Sequence, residues 1–168
     1  MMENINRNGT PFPDTVRFGR ADGNDTSALT ELRLAYLRED LGLPAPEEEA
    51  VLRARLEAYF PAHLNRDLFA YVARNGKISA CCFLLVTEKP PSPAFPHGKI
   101  GTVLNVYTRP DDRRRGLARQ LMELLIRDAG AMGLDHLELK ATEAGLRLYR
   151  SLGFAGEVSN YHSMKRRL

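Results

Sequence analysis

A strand that runs through an arginine- and glycine-containing turn into an amphipathic helix most constrains this chain. It occupies residues 99–133, KIGTVLNVYTRPDDRRRGLARQLMELLIRDAGAMG. Thr102, Val103, Leu104, Val106, Tyr107 and Thr108 favour an extended strand, and Pro110 with Asp111 and Asp112 ends it. Beyond Gly116, Leu117, Leu121, Leu124 and Leu125 recur at helical spacing, so one face of the helix belongs to a core. The first N–H groups of such a helix lack intrahelical acceptors, and the macrodipole adds about half a positive charge there. The arrangement is an anion cradle, and a phosphorylated ligand suits it. Gly116 lets a ligand approach the backbone closely, and the small Ala118 serves the same end. Arg113, Arg114, Arg115 and Arg119 surround the helix start, where acids are the usual choice. Either an outside anion balances them, or they form a solvated charge run beside an ordinary loop glycine.

The rest of the composition bounds the answer. A chain of 168 residues with 43% hydrophobic content suits one core, and no repeat or linker divides it, so residues 1–168 read as one domain. A net charge of +3 permits an anionic ligand but argues against a general nucleic-acid binder. Residues 1–14 are polar and contain prolines, which reads as a flexible tail rather than an export signal. The longest apolar run, Ile78 to Val86, is far short of the roughly 20 residues of a spanning helix, so no membrane partner is expected. Cys81 and Cys82 are adjacent in a strand-like segment and should point to opposite faces, as buried reduced thiols of a cytoplasmic protein.

The coarse order is a strand at Val16 to Arg20, a helix from about Ser27 to Asp40, and a second helix from Pro46 to about Tyr59. Two apolar runs, Leu68–Arg74 and Ile78–Thr87, meet at Asn75-Gly76, a strong hairpin signal. A proline-rich loop from Lys89 to Gly98 leads into the motif strand, and one or more final strands are expected after Gly153, ending near Met164.

The run RRRGLA, Arg113 to Ala118, resembles the Arg/Gln-x-x-Gly-x-Gly/Ala signature of the GCN5-related N-acetyltransferases, the GNAT superfamily. LNVYT before it resembles the fourth strand of that fold. HLELKATEAGLRLYRSLGF, residues 136–154, resembles the fifth strand, fourth helix and start of the sixth strand. The resemblance implies an α/β fold with a central mixed, mainly antiparallel sheet of about six or seven strands, about four flanking helices, and strands 4 and 5 splayed apart. It implies an enzyme that passes the acetyl group of acetyl-CoA directly to an amine, without a metal. Backbone N–H groups from about Arg114 to Ala118, through Arg115, Gly116 and Leu117, would hold the pyrophosphate, with Arg113 and Arg119 as further cofactor-binding residues. Backbone groups of Val106, Tyr107 and Thr108 would align the pantetheine arm as if it were a strand, and an N–H near Val106 would face the thioester oxygen. Thr142 is a further implied contact, although many members carry asparagine at the position that Thr142 or Glu143 holds here, which weakens a side-chain contact. Tyr149 is the implied catalytic acid, because a phenol beside a departing thiolate can protonate it; on helical spacing alone it could instead pack its ring against the sheet.

An amine acceptor also needs a base, since an alkylammonium is mostly protonated near neutral pH. Glu88, His97 and Glu138 are candidates, alongside a water chain or an acceptor that arrives neutral. The segments Ser27–Tyr59 and Lys89–Gly98 are the implied acceptor walls, for a small-molecule or peptide amine. Arg33, Tyr36 and Arg38 could meet an acidic or polar acceptor, or sit in ordinary surface ion pairs. A homodimer is allowed. A non-catalytic acyl-CoA-binding regulatory domain is the alternative of another class, and a nucleic-acid module using the arginine cluster is a third.

Overall fold

The computed structural model describes residues 16–42 and 44–168; the tail expected over residues 1–14 lies outside them. The elements follow in the order β1 (Arg17–Arg20), α1 (Thr26–Leu41), α2 (Pro46–His63), β2 (Leu68–Asn75), β3 (Lys77–Glu88), β4 (Lys99–Thr108), α3 (Leu117–Ala131), β5 (His136–Glu138) and α4 (Glu143–Ser151). Asn75-Gly76 makes the expected hairpin, with Gly76 at φ +72° and Asn75 paired to Lys77. The strands lie in sequence order, antiparallel through β4. Helix α3 then crosses over, so β5 runs parallel to β4.

Strand alternation loads both faces of this sheet. Tyr71, Cys82, Leu84 and Val103 pack against Leu117, Leu121, Met122 and Leu125 of α3. Val72, Cys81, Phe83 and Tyr107 pack on the other face against Leu29 and Leu32 of α1 and Phe60 of α2. The adjacent cysteines therefore enter opposite cores, as the period-two geometry of a strand requires. Both are fully buried, and burial pushes the Cys81 thiol to about 12 and Cys82 well above its usual range, so neither is poised as a nucleophile.

Two features of β4 shape the site. Between Cys81 and Phe83 the β3–β4 register slips: Cys81 faces Tyr107 while Phe83 faces Leu104. The extra residue in β4 is a bulge, and Asn105 takes the left-handed region at φ +51° to accommodate it. The second feature is the short pairing with β5, limited to Ile100, Gly101 and Thr102 against His136, Leu137 and Glu138. From Val103 onward that side of β4 has no strand partner among the described residues, so strands 4 and 5 splay as expected.

The strand count differs from expectation. The sheet has five strands, and Ala155 to Leu168 forms none. Val158, Tyr161 and Met164 are large nonpolar side chains of that stretch and stand 99%, 90% and 93% exposed. Their spacing of three residues puts successive ones on opposite faces of an extended strand, so no apolar face forms. A three-residue β5 offers little edge to pair with. No helix among the described residues is long and apolar enough to cross a membrane.

Candidate active site

The turn before α3 is built from two left-handed residues. Arg114 has φ +63° and Gly116 φ +82°, and Gly116 occupies the N-cap position without a side-chain cap. A glycine adopts this conformation at no steric cost, and Arg114 adopts it against its preference. The first backbone bond of the helix runs from the Gln120 N–H to the Gly116 carbonyl at 3.2 Å. The N–H groups of Gly116, Leu117, Ala118 and Arg119 have no backbone acceptor among the described residues. They open on a cleft of about 440 Å³ between the start of α3 and one side of α4.

The arginines around this cleft divide into committed and open ones. Arg113 donates from Nη2 to both Glu39 oxygens, at 2.8 and 2.6 Å, and from Nε to the Thr108 carbonyl at 3.0 Å. Arg115 donates to Asp112 at 2.6 Å. Arg119 reaches Ser151 and Glu123. The carboxylates thus balance part of the positive charge from within, and the backbone N–H groups at the helix start remain as open donors. Arg114 and Arg147 line the cleft with no ion pair among the described residues. Arg147, with Ala144, Leu148 and Ser151, lines the cleft without a local motif that marks it. Its signal is the helical spacing 144, 147, 148, 151, which sets one face of α4 against the cradle.

Thr108, from the unpaired half of β4, lines the same cleft. The Arg109 N–H bonds to the Ser79 carbonyl of β3 at 2.9 Å. Antiparallel alternation then turns the backbone groups of Tyr107 towards β3 and those of Val106 and Thr108 towards the gap. The Tyr107 side chain leaves this face altogether. Its hydroxyl donates to Glu39 at 2.9 Å, and its ring meets Tyr36 edge-on at 6.5 Å. Thr142 occupies the N-cap position of α4 and makes no side-chain cap; it is not among the residues lining the cleft.

Tyr149 sits on the sheet-facing side of α4, half-buried against the α3-side core and edge-on to Phe154 at 6.0 Å. Its ring folds back over the preceding turn, where a Cβ on Gly145 would come within 2.7 Å of it. Its hydroxyl makes no hydrogen bond to a described residue. Burial is the main cause that pushes its pKa up to about 12, with Cys82 and Tyr36 adding to it.

The three candidate bases lie towards the other end of β4. His97 is bonded through Nδ1 to Asp135 at 2.7 Å, in a clasp where Asp135 also receives the His97 and Lys99 N–H groups. Glu88 pairs with Lys99 at 3.6 Å and is 77% exposed. Glu138 accepts from the Thr102 hydroxyl at 3.0 Å and borders, with Tyr149, a second cleft of about 600 Å³ beside β5. Among the described residues no cluster of His, Cys, Asp and Glu could hold a metal ion.

Comparison with known proteins agrees with this geometry. The model of the acetyltransferase (GNAT) family matches residues 29–154. No curated protein matches the sequence. A predicted acetyltransferase from Clostridium acetobutylicum, solved with acetyl-CoA, superposes with a TM-score of 0.76 at 25% identity, over 89% of this chain and 96% of that one. A GCN5-related N-acetyltransferase from Ralstonia eutropha JMP134 gives 0.74 at 25% identity, over 89% and 98%. Glucosamine-6-phosphate N-acetyltransferase from Arabidopsis thaliana shares the fold at 17% identity, with a TM-score of 0.64 over 90% and 99%. With the cradle, the bulged β4 and the splayed strands in place, the chain belongs to the acetyltransferase (GNAT) family.

Proposed function

We propose that this chain transfers the acetyl group of acetyl-CoA directly to an amine of a small molecule or peptide. The observation that carries the reading is the uncapped start of α3, whose free N–H groups share one cleft with Thr108 of the unpaired half of β4. The donor set fits a pyrophosphate: peptide N–H groups at a helix start, a left-handed glycine without a Cβ, and the open cations Arg114 and Arg147. Acetyl-CoA supplies a thioester carbonyl open to attack by a neutral amine.

The chain's own groups then act at three atoms. The backbone of Val106 and Thr108 completes a strand-like bed for the pantetheine arm. The Val106 N–H faces the gap, where it stabilises negative charge developing on the carbonyl oxygen. As the C–N bond forms and the C–S bond breaks, the Tyr149 hydroxyl gives the leaving sulfur a proton, and the proton shed by the new amide nitrogen restores the phenol through solvent. A tyrosine is protonated at neutral pH, as an acid must be, and burial keeps Tyr149 so well into the alkaline range. The protein works inside the cell's cytoplasm on this reading.

A thermal-shift titration with acetyl-CoA, desulfo-coenzyme A and ATP tests it. At about 100-fold excess over Kd a specific ligand adds roughly 2.7 kcal/mol, on the order of 5–10 °C for a domain of this size. Both coenzyme A compounds should produce the shift, and thiol release should follow with at least one amine. A shift without thiol release across a wide amine panel would favour the regulatory-domain reading. No shift with either compound would sink both.

A further inference from the structure

On the α1 side of the gap, one arginine differs from those around it. Arg38 holds Glu49, with Nε at 2.9 Å from one oxygen and Nη2 on the other. Arg53 joins Glu31 and Glu49, and Arg113 closes on Glu39. Arg33 lies on the same helix as Arg38 yet has no carboxylate partner among the described residues. Its one hydrogen bond runs from Nη1 to the Asn105 side-chain oxygen at 3.2 Å. The guanidinium is half-buried and lies 5.5 Å from the centre of the Tyr36 ring. Burial lowers its pKa, although an arginine stays charged at any ordinary pH. A partly desolvated cation that leaves most of its five N–H donors unused favours an anion.

Placement says which anion. Asn105 is the left-handed residue of the bulge, and Val106 follows it, about 3.8 Å away between Cα atoms. An anion held at Arg33 would therefore lie one residue along β4 from Val106, whose N–H the transfer reading sets beside the reacting carbonyl. The groups around Arg33 limit the charge of that anion. Tyr36, Tyr59 and the buried Cys81 are neutral, and Asp40, hydrogen-bonded to Tyr36, adds a negative field. One planar guanidinium beside that field suits a monoanion with two coplanar oxygens better than a dianionic phosphate. The geometry points to an acceptor that carries a carboxylate a few bonds from its amine, an amino acid or amino-acid-like amine anchored by Arg33. The inference rests on the acetyl-transfer reading and names its substrate class.

The test uses the full chain saturated with coenzyme A and measures thermal shifts with product analogues. N-acetylglycine, N-acetylalanine and N-acetylglutamate are compared with the corresponding amides and with an N-acetyl aminoalkyl phosphate. The acids should bind at least about tenfold more tightly than their amides, the scale of a charge-assisted hydrogen bond. Arg33→Gln should shrink that preference to about threefold or less while the acetyl-CoA shift persists, and Arg38→Gln should leave it intact. Acids and amides binding alike would overturn the inference. So would a preference unchanged in Arg33→Gln, a phosphate that outcompetes the acids, or no response to any analogue with the acetyl-CoA shift present. Should Arg33→Gln fail to fold, the acid-against-amide comparison on the wild type decides. Loss of the acetyl-CoA shift in the wild type overturns the transfer reading itself, and the anchor with it.

Discussion

The two faces of β4 are built on different principles. Towards α3 and α4 the candidate site consists mainly of peptide groups: uncapped helix N–H groups and unpaired strand backbone, with small residues that keep access open. Towards α1 it consists of side chains, in which Arg33, Tyr36, Glu39, Asn105 and Tyr107 meet through contacts between distant parts of the chain. A backbone site depends on conformation and tolerates many side chains, so different members of a family can keep it. A side-chain site changes its chemistry with each substitution, so it can carry selectivity.

The comparison breaks most sharply at Gly116. Gly116→Trp puts a bulky L-residue at φ +82° in the mouth of the cleft. The acetyl-CoA thermal shift should vanish, while analogue-independent features of the α1 face persist. A retained shift would mean that the cradle is elsewhere. Tyr149→Phe probes the one side chain on the backbone-built face to which chemistry is assigned. Turnover should fall by about 100-fold, at the lower end of general-acid effects, with acetyl-CoA affinity within about twofold. An unchanged turnover number would remove the acid role. The same residue sets a pH expectation. A phenol held near 12 stays protonated through the alkaline range, so turnover should rise with pH as the acceptor amine loses its proton and show no descending limb below about pH 10. The smallest effect belongs to the seam between the faces. Arg113 and Glu39 are 44% and 46% exposed, so Glu39→Gln should cost less than about 1 kcal/mol in denaturant unfolding. A larger loss would show that the seam is structural.

This contrast also explains what could be read from the sequence. The cradle is local: strand, turn, glycine and helix lie within residues 99–133, and each announces itself by propensity or periodicity. The hairpin at Asn75-Gly76 and the opposed cysteines follow from equally local rules. The left-handed Asn105 does not, because the bulge is a property of β4 paired against β3. Arg33 meets Asn105 from 72 residues away and Tyr107 meets Glu39 from 68, so no pattern along the chain could separate an open arginine from a paired one. Arg33 and Arg38 looked alike in sequence, and Glu49 makes the difference. The final strands were expected by family analogy, which the three-residue spacing of Val158, Tyr161 and Met164 does not sustain.

Arg113 and Glu39 also have a thermodynamic consequence. Glu39 lies near the end of α1, and Arg33 lies six residues earlier on the same helix, about 9 Å along its axis. On the proposed reading, the loop beside one ligand is thereby tethered to the helix that would present the anchor for the other. A ligand that quiets the loop removes motion from the helix, and the second ligand then has less disorder left to suppress. Linkage makes the help mutual, so the pair should bind with positive cooperativity whichever arrives first.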